Sequence, residues 1–167
     1  MICFFDTNIL VYLFDASDPT RQKMAHTCFK EALDQDTIVL STQVLQEFYA
    51  VTTRKLRPAI APLQAAEHVS HLCAFEVMDS TAHSVQTAIA LAQQHQLSWW
   101  DALVLEAALR AGADVLYTED FNHGQRFGSL TVVNPFKAKP VAAGTASVWA
   151  ASHRRHPPSS CGRASAT

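Results

Sequence analysis

The chain has 167 residues, 49% hydrophobic and 17% charged, which suits one globular domain with a sizeable core. A formal net charge of −2 excludes a basic field over the whole surface as the means of holding nucleic acid, so any cationic patch must be local. Cys3, Cys28, Cys73 and Cys161 form no C-x-x-C pair, which excludes a zinc knuckle and a dithiol redox motif.

The first stretch, MICFF, is β-prone and ends at Asp6. TNILVYLF then reads as the start of a helix, with Asp6, Thr7 or Asn8 able to cap it. PTRQKMAHTCFKEAL is an amphipathic helix with Met24, Cys28 and Ala32 on one face. TIVLST is a second strand, and Ser41 or Thr42 caps the helix TQVLQEFYAVTTRKL. Pro58 and Pro62 bracket a loop before the short helix LQAAEHVSHLCA. FEVMD is a third strand. STAHSVQTAIALAQQHQ is a helix with Ser80 or Thr81 near its cap. WWDALVLEAALRA is apolar almost all round, hence a buried helix, stopped by Gly112 where a left-handed residue is wanted. ADVLYT is a fourth strand, EDFNHGQRFG a turn-rich loop and LTVVNP a fifth strand. Cys3, Cys28 and Cys73 lie among apolar residues and are expected to act as small hydrophobes.

Strands alternating with helices predict a three-layer α/β/α domain around a parallel sheet of about five strands. The expected domain spans residues 1–136. Residues 137–167 are Ala-, Ser- and Pro-rich without a sustained period, and are expected to be a disordered tail. No basic leader precedes an apolar run and no apolar stretch could span a bilayer. The expectation is a cytoplasmic protein without membrane contact.

Asp6 interrupts the apolar opening run at the carboxyl end of the first strand, where open α/β sheets bind ligands. Asp120 or its neighbour Glu119 follows the fourth strand and can reach the same rim. The bland alternatives are a helix cap for Asp6 and a solvated turn for the other two. Glu47 shares a helix face with Val44, Phe48 and Val51, a face that should bury itself, so it needs a partner: Arg54 or a cation. Asp101 fits a capping box with Ser98, yet its helix is otherwise apolar and its first turn is expected to point toward the site. Two carboxylates about 5 Å apart repel by roughly 3 kcal/mol at an effective dielectric near 20. No Lys or Arg is interleaved with Asp6, Glu47, Asp101 or Asp120. Oxygen ligands without Cys or His select a hard cation, Mg²⁺ or Mn²⁺.

The segments FFDTNIL, STQVLQEF, SWWDALV and LYTEDF, in this order, resemble the PIN-domain ribonucleases, and most of all the VapC-like toxins of type II toxin–antitoxin modules. The resemblance covers roughly residues 1–136. It implies a Mg²⁺- or Mn²⁺-dependent endoribonuclease that inhibits translation, with Asp6, Glu47, Asp101 and Asp120 as catalytic and metal-holding acids. Thr7, Asn8 and Thr118 match the polar residues that support them, and Glu119 could share or take over the role of Asp120. The resemblance also implies a homodimer and a small antitoxin covering the acidic site.

RNA needs phosphate contacts, for which Arg54, Lys55, Arg57 and Arg126 are the candidates. A solvated helix end is the plainer account of the first three. Trp99 and Trp100 are read as core or dimer interface ahead of base stacking. His68 and His71, without a third ligand, are read as a solvated helix face. A housekeeping PIN nuclease and a non-catalytic RNA-binding module remain as alternatives. A haloacid-dehalogenase-type phosphatase requires D-x-D, and Asn8 removes the second acid. A phospho-receiver using Asp79 lacks paired acids after strand one, and Asp79 is more simply a helix cap.

Overall fold

The computed structural model describes residues 1–137. Nearly all of the tail expected at 137–167, with Cys161, lies outside the described residues. The elements run β1 (Ile2–Phe5), α1 (Thr7–Tyr12), α2 (Pro19–Gln35), β2 (Thr37–Ser41), α3 (Thr42–Arg54), α4 (Pro62–Leu72) and β3 (Glu76–Met78). They continue with α5 (Ala82–His95), α6 (Trp99–Arg110), β4 (Val115–Tyr117), β5 (Arg126–Phe127) and β6 (Leu130–Val133). One sheet takes the order β3-β2-β1-β4-β6-β5. Every pairing is parallel except β5 with β6.

The order reverses at β1. The chain leaves it in one direction toward β2 and β3 and returns on its other side as β4. Such a switch point opens a crevice beyond the carboxyl ends of the two central strands. Residues 3–5 of β1 pair with 115–117 of β4, and the Asp6 N–H donates to the Tyr117 carbonyl at 3.0 Å. The residues that follow both strands therefore emerge side by side.

The sheet is buried between helices, which explains why its strands read as continuous apolar runs. Phe4, Phe5, Leu40, Leu116, Leu130 and Val132 of the sheet, with Ile9, Leu10, Val44, Phe48 and Leu105 of the helices, are fully buried. Phe5 stacks on its cross-strand partner Tyr117 at 4.7 Å between centroids and meets the edge of Phe29 at 5.1 Å. This aromatic layer lies one residue below Asp6.

Four local expectations need correction. The loop 119–128 ends in a two-residue strand, β5, joined to β6 through Gly128 (φ +62°) and Ser129, so the sheet has six strands. The first helix ends at Tyr12 and does not reach Phe14. Thr81, not Asp79 or Ser80, caps α5, with Ser84 completing a capping box. Cys73 is exposed at the end of α4, whereas Cys3 is buried and Cys28 half-buried. Gly112 does end α6 in the left-handed region (φ +64°).

The buried face of α6 carries one charge, Glu106, at 5% exposure. Arg110, one turn on, pairs with it at 2.8 Å and also donates to the Asp79 carbonyl at 2.8 Å. This bridge fixes α6 against the end of β3. Arg110→Ala should therefore leave an uncompensated buried carboxylate and cost about 3 kcal/mol. Adding Glu106→Gln to Arg110→Ala should recover part of that loss, as measured by urea unfolding.

Candidate functional site

A cleft of about 470 Å³ opens at the switch point, lined by Asp6, Thr7, Asn8, Val11, Tyr12, Asp15, Ser17, Glu47, Val51, Lys55, Leu56, Arg57, Glu119 and Asp120. Asp6 lies at its floor, 5% exposed. It is the N-cap of α1: Oδ1 accepts from the Thr7 N–H at 2.6 Å. Oδ2 accepts from Thr118 Oγ1 at 2.7 Å and from Asn8 Nδ2 at 3.2 Å. Capping and site membership thus coincide in one side chain. Burial pushes the Asp6 carboxyl up to about 7, helped by the Asp120 and Glu47 charges and opposed by the hydrogen bonds from Thr118 and the Thr7 N–H.

The Asn8 amide joins the acids of the two strands. Its Nδ2 donates to Asp120 Oδ2 at 2.8 Å while also reaching Asp6 and, at 3.3 Å, Thr118 Oγ1. Asn8 Oδ1 is buried without a partner. The Asp120 N–H donates to Thr118 Oγ1 at 3.2 Å. Neighbouring Glu119 is held differently: Arg21 of α2 pairs with it at 2.7 Å. Arg21 also hydrogen-bonds the Tyr12 hydroxyl and lies over the Tyr12 and Phe136 rings, 5.2 and 5.3 Å from their centroids. Of the adjacent acids, Glu119 has a cationic partner and Asp120 has only neutral donors.

Glu47 enters from α3. Its Oε2 accepts from Thr7 Oγ1 at 3.1 Å and its Oε1 from Gln43 Nε2 at 3.1 Å. Of the two partners expected, Arg54 or a cation, Arg54 makes no bond to Glu47, which is held by two neutral donors. Glu47, Val51 and Lys55 form an i, i+4, i+8 row along α3 and its cap, and all three line the cleft. Arg57 joins Lys55 there, its guanidinium donating to the Arg54 and Leu56 carbonyls at 3.0 Å each. Arg54 lies off this row and does not line the cleft. Nor does Arg126, which sits on the edge strand β5.

Asp101 does not line the cleft either. It occupies the first turn of α6, where its N–H donates to Ser98 Oγ at 3.2 Å; Ser98 is the N-cap, but the Asp101 carboxylate makes no return bond to the Ser98 N–H, so only half of the expected capping box forms. That turn abuts α3 through Gln43, whose Nε2 reaches the Trp100 carbonyl at 3.5 Å. Three of the four predicted acids therefore share the cleft, and the fourth lies outside it on the α6 turn that abuts α3. Trp99 is half-exposed and Trp100 is 58% exposed, so neither is core. His68 packs on Phe14 at 4.4 Å between centroids rather than being solvated, while His71 is exposed. Asp79 is exposed beyond the outermost strand β3, away from the switch point. Arg21 and Gln43 escaped sequence reading. An Arg near a helix start and a Gln four residues before a Glu carry no signal without the fold.

Among the described residues, no three His, Cys, Asp or Glu side chains are gathered tightly enough to hold a metal ion as they stand. The donor set nevertheless fits a hard cation. Asp6, Glu47 and Asp120 face one cleft, no His or Cys among the described residues lines it, and the Asn8 amide oxygen is buried and unused.

The raised Asp6 carboxyl gives a signed expectation for the metal-free protein. Between about pH 4 and 7 the folded state holds a proton on Asp6 that the unfolded state releases, so this group's contribution to stability falls as pH rises through that window and is flat above it. Asp6→Asn should remove that slope and leave melting temperature at pH 8 equal to or above wild type. Thermal melts from pH 4 to 8 in EDTA check it; a lower melting temperature for Asp6→Asn at pH 8 would contradict it.

The PIN domain family model matches residues 3–126. Solved structures share the fold. A toxin–antitoxin complex from Klebsiella pneumoniae aligns at 23% identity and TM-score 0.58, covering 80% of this chain and 97% of that one. VapBC-1 from nontypeable Haemophilus influenzae aligns at 21% and 0.58, covering 82% and 100%. VapC20 of Mycobacterium tuberculosis, a toxin that cleaves the sarcin–ricin loop, aligns at 21% and 0.54, covering 68% and 86%. No curated protein matches the sequence itself. With the family model covering most of the chain and the three-layer fold shared with VapC toxins, this protein belongs to the PIN domain family.

Proposed function

We propose that the protein is a Mg²⁺- or Mn²⁺-dependent endoribonuclease, the toxin of a toxin–antitoxin pair that inhibits translation. The observation that carries this reading is the charge layout of the cleft. Asp6, Glu47 and Asp120 face it with neutral hydrogen-bond donors only, while Lys55 and Arg57 line the same cleft. The acids would hold the cation, with Asp101 contributing from the adjoining turn of α6. When bound, a hard divalent cation lowers the pKa of a water and steadies charge on phosphate oxygens. Thr7, Asn8 and Thr118 keep the carboxylates aimed. Lys55 and Arg57 engage flanking phosphates, with Arg54 and Arg126 left as outer contacts for a longer RNA. Glu119, tied to Arg21, holds the rim and supports Asp120.

The partners follow from the same surface. An anionic cleft is closed most directly by an Arg, whose fork meets carboxylates bidentately, and a small antitoxin supplying one fits the reading. The relatives include toxin–antitoxin complexes, which supports it. Val85 and Ile89 of α5 with Trp99 and Trp100 of α6 are exposed and apolar, which supports a homodimer through that pair of helices. No helix among the described residues is long and apolar enough to cross a membrane, in keeping with action on RNA in the cytoplasm.

Purified protein incubated with total RNA should cleave it with Mn²⁺ and not with EDTA. Asp6→Asn should lower the cleavage rate at least about a hundredfold, roughly 2.7 kcal/mol of transition-state stabilisation. Intact RNA under both conditions would defeat the nuclease reading and leave a binding module.

Expression of wild type alone should slow growth, and co-expression of the protein encoded beside it should restore growth. Glu47→Ala should weaken that complex by about 2–5 kcal/mol where the pair is desolvated, read by calorimetry. A harmless wild type with no binding neighbour would leave a housekeeping nuclease.

A further inference from the structure

Gln43 is 6% exposed in the first turn of α3, bonded to Glu47 and set against the α6 turn that carries Asp101. Its Nε2 donates to Glu47 Oε1 at 3.1 Å and reaches the Trp100 carbonyl, one residue before Asp101, at 3.5 Å. Its Oε1 is buried and has no partner. Turning the amide over does not cure this. Oxygen would then face the Glu47 carboxylate and the Trp100 carbonyl, three acceptors with no proton among them.

A surface Gln–Glu pair spaced i, i+4 is a minor helix device whose polar atoms water satisfies. This one has no such excuse. A buried amide that spends its donor on a carboxylate and leaves its acceptor idle is incomplete, and what completes it is a proton donor. No Lys or Arg takes part in the hydrogen bonds of Glu47 or Gln43. The chemistry that delivers an O–H donor beside carboxylates is the water of a hydrated hard cation, which such ions give up reluctantly.

We propose that Gln43 is a positioning residue that links Glu47 to the Asp101 turn of α6, its free Oε1 accepting from a water of the cation that these acids hold. This rests on the metal reading above and extends it to a residue outside the acid set. Gln43 touches neither the cation nor RNA. It fixes the Glu47 carboxylate from the side opposite Thr7 and sets how far the α6 turn stands from it. Asp101 thereby acts on the site without lining the cleft.

The test is Mn²⁺ binding by the full chain, followed through the electron paramagnetic resonance of free Mn²⁺, for wild type, Asp6→Asn, Gln43→Leu, Gln43→Met, Asp101→Asn and Gln43→Leu/Asp101→Asn. Gln43→Leu and Gln43→Met should each weaken Mn²⁺ binding roughly 10–100-fold, the range for residues that orient metal ligands. Melting temperature in EDTA should change little, since losing the bond to Glu47 and removing the idle buried oxygen act in opposite directions. The double variant should lose less than the product of the two single losses, because both act through one linkage. The inference is overturned if Asp6→Asn abolishes Mn²⁺ binding while both Gln43 variants bind as wild type. It is overturned equally if they lose melting temperature alone, or if the double variant shows the full product. Wild type that binds no Mn²⁺ overturns the metal reading and this inference together.

Discussion

The structure is organised around a carboxylate that should not be buried. Asp6 is desolvated at the end of the central strand, and charging it there is costly unless its lone pairs are met. Three groups meet them, the Thr7 N–H, Thr118 Oγ1 and Asn8 Nδ2, and they come from two different strand ends. That is possible only because β1 and β4 are neighbours in register although more than a hundred residues separate them in the chain. The aromatic stack of Phe5 on Tyr117 sits immediately below and locks the register on which the hydrogen bonds depend. A one-residue slip would put Thr118 on the wrong face and leave Asp6 with only the local donors of its own helix, the Thr7 N–H and Asn8 Nδ2.

The treatment of the remaining acids separates two classes. Glu106 pairs with Arg110, Glu119 and Asp18 with Arg21, and Asp36 with the chain's amino terminus. None of the ion pairs among the described residues includes Asp6, Glu47, Asp101 or Asp120. Cations are within the fold's means, since Lys55 and Arg57 line the same cleft, but the side-chain bonds to Asp6, Glu47 and Asp120 come from Thr, Asn and Gln. Neutral donors orient a carboxylate without neutralising it. They leave the negative field intact for a mobile cation or a basic partner, where a resident Arg would have cancelled it.

This distinction also marks what could be read from the sequence. The five parallel strands, the stop at Gly112 and the polar break at Asp6 were legible because each rests on local pattern or on a residue type with a backbone constraint. So was Glu47, since a carboxylate on a burying helix face conflicts with its neighbours. β5 was not, because two residues carry no period. Arg54 and Lys55 could not be told apart, because the choice depends on which helical row meets the cleft beyond the last full turn. Asp101 was legible as an N-terminal turn acid but not as set back from the cleft, since that depends on the packing of α3 against α6. Arg21 and Gln43 act on partners whose proximity exists only in the fold.

One helix carries both ends of the charge pattern. Glu47 and Lys55 are eight residues apart along α3 and its cap, about 12 Å at 1.5 Å per residue. Lys55 lies at the carboxyl cap, where the helix dipole favours a cation, while Glu47 lies mid-helix beyond the first turn. Lys55 therefore helps end the helix and polarises the cleft at once. Because a helix is stiff, the spacing is fixed before any ligand arrives. On the proposed nuclease reading, a polyanion lying along this row would meet Lys55 and Arg57 at one end and the carboxylates at the other, where a cation between them would make the contact favourable. The same layout disfavours an anion placed at the acid end alone.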